Sequence, residues 1–306
     1  MNWKRVRWLI VYRFKMAVNA LAGRMAALLL AVIHRCDRVA VSNFAGRVMR
    51  TVGPWLPEHR VGRANLEAAF PEKSPAEIEA ILRGVWDNLG RVGAEIAHLD
   101  HICSGDRYKR NYIDYTADNI ARFLHVKDDG KPALIFAAHL ANWELPAVIA
   151  ASDGLEAVVL YRRPNLGAIA DAVIALRGGL MGEMVASSMG APVALADALR
   201  RGKHVAMLVD QHYGRGVEVT FFGRKCRTNP LIAMLAREIE CPIHGTRVIR
   251  LPGNRFAGEI SEEVAPVRDA QGRIDVAGTM QAITAVVEGW VREHPEQWLW
   301  LHRRWR

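Results

Sequence analysis

A chain of 306 residues is long enough to bury a full core, and its 51% apolar content and nine tryptophans exclude an intrinsically disordered segment. Forty-one Lys and Arg against 32 Asp and Glu leave a net charge of +9, which favours negatively charged partners: nucleic acid, an anionic membrane surface or an acidic carrier protein. The four cysteines (Cys36, Cys103, Cys226, Cys241) form no C-x-x-C pair, so they support neither a zinc site nor a disulfide framework and fit a reducing compartment.

Charge is uneven along the chain. Residues 1–60 carry eleven Lys and Arg but only Asp37 and Glu58 as acids. Within them Ala17–Ile33 is apolar, interrupted by Asn19 and Arg24, and the longest uncharged apolar run, Met25–Ile33, has nine residues. A simple bilayer span needs about 20. No small-residue cleavage site follows Ile33, which argues against a secretory signal. Three readings stay open: a short spanning helix that tolerates Arg24, an amphipathic helix in the membrane plane, and a basic helix packed on the body. Trp3, Trp8 and Tyr12, beside Lys4, Arg5, Arg7, Arg13 and Lys15, favour contact with anionic lipid.

Residues 61–104 read as helical. Ser74, with Glu77 three residues on, forms a capping-box start for a helix that opens at Pro75 and runs through Trp86 towards His101. His98-Leu-Asp-His101 offers two histidines a helical turn apart, but a solvated helix face is the expected reading and no metal is expected there. From residue 131 the pattern alternates. Strands are expected at 133–138, 157–161, 205–209 and 217–222, and helices at 143–152, 165–176, 191–201 and 230–240. A hairpin is expected at 243–250 and 255–260 across Leu251-Pro-Gly-Asn254. A helix at 276–293 and a last strand at 297–302 complete the chain. Alternating strands and helices predict an α/β fold: a mixed, mainly parallel sheet flanked by helices, preceded by an N-terminal membrane-anchoring helix.

The most informative window is Ala137-Ala-His139-Leu-Ala-Asn142-Trp-Glu144-Leu-Pro146. An apolar strand delivers a histidine, and Pro146 confines the next helix to a start near Asn142. That layout lets Glu144 fold back on His139, and a carboxylate that orients an imidazole makes a general base near neutral pH. A partly buried histidine ending a strand explains the window equally well. Polar groups recur at the carboxyl ends of successive expected strands: His139, then Tyr161-Arg162-Arg163, then Asp210-Gln211-His212. Ligand sites of open α/β sheets gather at those ends. The chain has no G-x-S-x-G, no Walker A loop and no G-x-G-x-x-G. A His/carboxylate dyad without a protein nucleophile points to a substrate hydroxyl as the attacking group.

His139-x-x-x-x-Glu144, Tyr161-Arg162-x-Pro164-Asn165, Asp210-Gln211-x-Tyr213-Gly214, Phe221-Phe222-Gly223 and the ending Pro295-Glu-Gln-Trp298-Leu-Trp-Leu-His302-Arg303-Arg304-Trp305 together resemble the bacterial lipid A biosynthesis acyltransferases, the late lauroyl/myristoyl enzymes of lipopolysaccharide synthesis. The resemblance implies an inner-membrane enzyme with its active site on the cytoplasmic side. It would transfer an acyl chain from acyl carrier protein to a hydroxyl of an anionic glycolipid, a lipid A precursor, without metal, nucleotide or other cofactor. Residues 1–35 would be the membrane anchor and 36–306 the acyltransferase domain. His139 and Glu144 match the family's catalytic pair. Asn142, Arg162, Arg163, Asp210 and Gln211 are expected to bind substrate, with Arg162 serving an oxyanion or a phosphate and Asp210 orienting it or capping a turn. Gly178–Ala191 departs from the family in containing no basic residue, so phosphate contacts to the acceptor are expected to differ. A lysophospholipid or other glycolipid acyltransferase with the same dyad is the neighbouring alternative, and a non-catalytic lipid- or carrier-binding protein the more distant one. Nucleic acid is not an expected partner, because no recognition motif accompanies the basic residues. Arg200, Arg201 and Lys203, with Arg162 and Arg163, are expected to dock the acidic carrier beside the cleft.

Overall fold

The computed structural model describes residues 3–106, 109–163 and 168–305. Pro164 and Asn165 of the family motif lie outside the described residues, as do the side chains of Trp3, Lys4, Arg5 and Lys15. A single helix, α1 (Trp3–Arg35), is about 50 Å long at 1.5 Å per residue. Its segment Val18–Arg35 is long and apolar enough to cross a membrane, and none of that segment is buried against the body. Asp37 then caps α2 (Arg38–Val52), accepting a hydrogen bond from the Ala40 amide at 2.7 Å.

The expected helical region resolves into α3 (Pro57–Ala69), α4 (Pro75–Glu95), a short 3₁₀ turn, and α5 (Leu99–Ile102). The capping box forms: Ser74 Oγ accepts from the Glu77 amide, and the Glu77 carboxylate accepts from the Ser74 amide at 2.8 Å. Helices α2 and α4 lie against each other at a glycine contact. A Cβ on Gly90 would sit 2.4 Å from the Ala45 carbonyl oxygen, so any larger residue would push the helices apart.

Three two-residue strands follow, β1 (Gly105–Asp106), β2 (Lys109–Arg110) and β3 (Ile113–Asp114), and then α6 (Ala117–Asp128), capped by Thr116. The alternating region contains β4 (Leu134–Ala137), α7 (Leu145–Ser152), β5 (Ala157–Tyr161), α8 (Ala168–Leu180), β6 (Glu183–Ala186), α9 (Ala191–Arg200) and β7 (His204–Leu208). Next come the hairpin β8 (Val217–Phe221) and β9 (Arg224–Thr228), α10 (Leu231–Ile239), the hairpin β10 (Ile243–Leu251) and β11 (Arg255–Glu263), and α11 (Val276–Glu293). The seven-stranded sheet has the order β3-β11-β10-β4-β7-β5-β6, and every pairing except β10 with β11 is parallel. The fold is therefore the expected mixed, mainly parallel α/β sheet flanked by helices.

Strand alternation divides the core. Leu134 and Phe136 of β4, Val205 and Met207 of β7 and Val158 of β5 join a large cluster with Leu195 and Leu199 of α9, Leu231, Ile232 and Leu235 of α10, and Ile283 and Val287 of α11. Gly245 lets this side close, because a Cβ there would lie 2.6 Å from the Phe136 ring and 2.7 Å from Trp290. The opposite face carries Ile135 and Ala206 towards α6 and α7.

The expected strand at 297–302 does not form. A 3₁₀ turn, Pro295–Gln297, leads into a segment that meets the sheet only through a bridge between Trp298 and Leu140. Its alternation serves ring packing instead: Trp298 and Trp300 meet edge to face with centroids 4.7 Å apart, and Phe221, Phe222 and Trp305 complete the cluster.

Candidate active site

The chain leaves β4 at Ala137 and presents His139 at the carboxyl end of the strand. In the sheet order β4 lies next to β7, so the segments that leave these two strands sit side by side. Asp210, just beyond β7, accepts a hydrogen bond from Nδ1 of His139 at 2.8 Å, and its other oxygen accepts from the His139 amide at 2.8 Å. That second oxygen also accepts from the Trp298 indole N–H at 2.8 Å. Burial pushes the Asp210 carboxyl up, but attraction to His139 and the hydrogen bonds it donates outweigh this and hold the carboxyl well below the usual carboxylate range. A carboxylate on Nδ1 fixes the tautomer with Nε2 as acceptor. Nε2 faces the Gln211 amide nitrogen at 3.2 Å.

Glu144 is placed differently from the sequence expectation. Its carboxylate pairs with Arg177 of α8, and the carboxylate on the imidazole is Asp210. The reason lies in the turn. Glu144 sits at the N-terminal cap of α7 with helical backbone angles, and its amide donates to Asn142 Oδ1 at 3.2 Å. The helix begins at Leu145, so Glu144 points across to α8 instead of back along the loop. Arg177 was not anticipated from the sequence. The available signal was that it is the sole Lys or Arg between 168 and 191, placed just before Gly178-Gly179.

Asn142 and Asp210, expected to touch substrate, are buried behind the site instead. Asn142 donates to Glu95 Oε2 at 3.0 Å, and Glu95 is fully buried. Burial raises the Glu95 carboxyl, but Arg250, bound to both its oxygens at 2.6 and 2.9 Å, lowers it further, with help from Ser42 and Asn142. Ala141, between the histidine and Asn142, has φ +46°, a left-handed angle costly for a residue with a Cβ. Its amide donates to the Gln297 carbonyl at 2.9 Å, and its carbonyl accepts from Asn88 at 3.1 Å. The turn is therefore held from α4, β10 and the C-terminal segment together.

His139 and Glu144 open onto a cavity of about 840 Å³. Its mouth carries Arg162, Arg163, Arg177, Gln211 and Tyr213, and its depth is apolar, running between the sheet and helices α6 to α8 past Val159, Ile149, Phe123 and Ile260. Rows of sheet residues set its floor: Ala137 pairs with Leu208, and one row further in Ala206 lies between Ile135 and Val159. From His139 to Ile135 is four residues, about 13 Å at most in extended chain. Arg163 is exposed and paired with Asp171 at 2.6 Å. His302, another of the C-terminal motif residues, is half-buried beside Asp210, and loss of solvent pushes its imidazole down, towards the neutral form.

Arg200, Arg201 and Lys203 do not lie beside this mouth. They precede β7 and so sit at the amino end of a strand whose carboxyl end carries Asp210. Each also has an acidic neighbour: Glu238 for Arg200, Asp197 and Glu183 for Arg201, and Glu183 for Lys203. The expected docking face beside the cleft does not form from them, because α9 runs back along the sheet and ends at the amino end of β7, opposite the site.

A histidine held by a buried carboxylate thus stands at the mouth of a deep apolar cavity. The sequence model described as Bacterial lipid A biosynthesis acyltransferase matches residues 13–306. The chain belongs to that family. A search of curated proteins found no match. The match takes in almost the whole described chain, including α1 from residue 13 onward and the complete C-terminal segment that holds Asp210. Family membership makes the chain an acyltransferase of lipid A biosynthesis.

Proposed function

We propose that the protein transfers a fatty acyl chain from acyl carrier protein to a hydroxyl of a lipid A precursor at the cytoplasmic side of the inner membrane, with His139 as general base. The observation that carries this reading is the Asp210–His139 pair at the head of an apolar cavity. The acyl chain lies along the rows Ala137/Leu208 and Ile135/Ala206, which places its thioester carbonyl at the mouth, beside His139. Nε2 takes the proton of the acceptor hydroxyl as its oxygen attacks that carbonyl. Asp210, ionised through the physiological range, stabilises the imidazolium. Collapse of the tetrahedral intermediate breaks the C–S bond, and Nε2 returns the proton to the departing thiolate, so the products are an ester and a free carrier thiol.

Arg177 and Glu144 form the charged wall of the mouth. Arg177 lines the cavity, where its guanidinium would serve a phosphate or the oxyanion. Glu144 is thus a positioning residue for Arg177, and Asp210 takes the imidazole-orienting role first given to Glu144. Arg162 and Arg163 supply positive charge where an acidic carrier would present its arm. The anchor is α1, whose apolar segment adjoins basic residues suited to anionic lipid.

Mass spectrometry of lipid A from a deletion strain tests the reading. Loss of one acyl group, restored by the wild-type gene and not by His139→Ala, is the expected result. An unchanged lipid A with an altered phospholipid or other glycolipid would overturn the acceptor assignment.

A further inference from the structure

Three side chains outside the cavity converge where α1 ends against the corner between α4 and α5. The ligand atoms of His34, Asp100 and His101 all lie within 4.8 Å of one another. His34 Nε2 is 3.8 Å and His101 Nε2 4.0 Å from the same oxygen of Asp100. His34 Nδ1 lies 2.7 Å from the Ala97 carbonyl, which only accepts, so Nδ1 carries the proton. In the neutral ring Nε2 then points a lone pair at a carboxylate. A cation held between the two acceptors would satisfy both.

The His34 and His101 rings stack with centroids 4.6 Å apart, which brings both Nε2 atoms towards one carboxylate oxygen. One metal ion satisfies all three groups. A metal-bound histidine ordinarily donates its other N–H to a carbonyl or carboxylate, as His34 does to Ala97. Two imidazoles and one carboxylate suit a zinc-class divalent ion with an open position for water, whereas calcium and magnesium prefer all-oxygen sets. Bonds of roughly 2.1 Å place ligand atoms roughly 3.3–3.6 Å apart, so the triad must contract by up to about 1.5 Å. Asp100 and His101 are half exposed and have room to do so.

We propose that His34, Asp100 and His101 form a zinc-class metal site that pins the end of α1 to the catalytic body. The neighbouring His98 reinforces the joint by holding the Cys36 carbonyl at 3.3 Å, and α1 also runs along α8, the helix that carries Arg177. A fixed joint sets the direction of the long helix relative to the cavity mouth. The site plays no part in the chemistry at His139.

The test uses the full-length, tag-free protein in detergent, stripped with a chelator and titrated with Co²⁺ and then with Zn²⁺. One equivalent of Co²⁺ giving a visible ligand-field spectrum that Zn²⁺ displaces is expected. His34→Gln and His101→Gln should each abolish it, Asp100→Asn should weaken binding at least tenfold, and His98→Gln should preserve it. Circular dichroism melts of the stripped variants check that they remain folded. Hydrogen exchange at residues 30–40 should slow on metal addition in the wild type and not in His34→Gln. Absence of saturable one-to-one binding, or binding that persists in both histidine variants, would overturn the proposal.

Discussion

Trp298 donates its indole N–H to the same oxygen of Asp210 that receives the His139 amide. The last residues of the chain thereby orient the carboxylate that orients the histidine. Trp298→Phe keeps the aromatic packing and removes one charge-assisted hydrogen bond, a type worth about 1.5–3 kcal/mol. The variant should fold with a lower urea midpoint and lose about ten- to a hundredfold in kcat with KM little changed. A kcat equal to wild type would show that Asp210 is held without it.

Asp210→Asn removes the charge behind His139 and leaves the shape. Turnover should fall by about 10²–10⁴, the range for a positioned base, and His139→Ala should match it. The double variant should be no worse than the worse single one, because the two residues act as a unit. Losses that multiply would separate their roles.

Glu144→Gln tests the other carboxylate. If it acts through Arg177, combining it with Arg177→Met should add little to either single change, while combining it with Asp210→Asn should multiply. The single changes should raise the KM for the lipid acceptor more than they lower kcat. Strong coupling of Glu144 to His139, with independence from Arg177, would restore a direct dyad and remove Asp210 from its assigned place.

If the acyl chain occupies the cavity as proposed, Ala206 should set its length, because its row with Ile135 and Val159 forms the inner floor. Ala206→Phe should shift preference among carriers loaded with a ladder of saturated chains towards shorter ones, with at least a tenfold loss for the longest accepted. An unshifted ladder would place the chain elsewhere.

Stability should fall with acidity in two stages. His204 and His302 are held towards neutral chiefly by burial, so their folded values lie below the unfolded value of about 6.5. Their contribution is complete above that value and is lost as pH falls from there towards the folded values. Asp210 and Glu95 are depressed in the fold, so theirs is complete above about pH 4 and is lost as pH falls below it. Each group adds up to about 1.4 kcal/mol per pH unit of slope. Urea midpoints in detergent from pH 8 to 3 should show a shallow decline below pH 6.5 and a steep one below 4. His302→Gln should flatten the first stage alone.

The sequence by itself determined most of the elements and one end of the site. The capping box at Ser74, the strand at Ala157–Tyr161, the helix Val276–Glu293 and the hairpin across Pro252-Gly253 follow from periodicity and turn chemistry, which act within a few residues. The strand–turn–helix that presents His139 is of the same local kind. Alternation at Trp298–His302 misled, because paired ring faces in a curled segment produce the same pattern as a strand. The partner of the histidine was decided only by tertiary structure. Asp210 is 71 residues from His139, and Trp298 is 88 from Asp210; they meet because β4 pairs with β7 and the C-terminus closes over both. The same holds for Arg177 on Glu144, and for His34 with Asp100 and His101. Strand order is set by the burial of whole sheet faces, so no spacing along the chain marks which distant side chains it will bring within hydrogen-bonding reach.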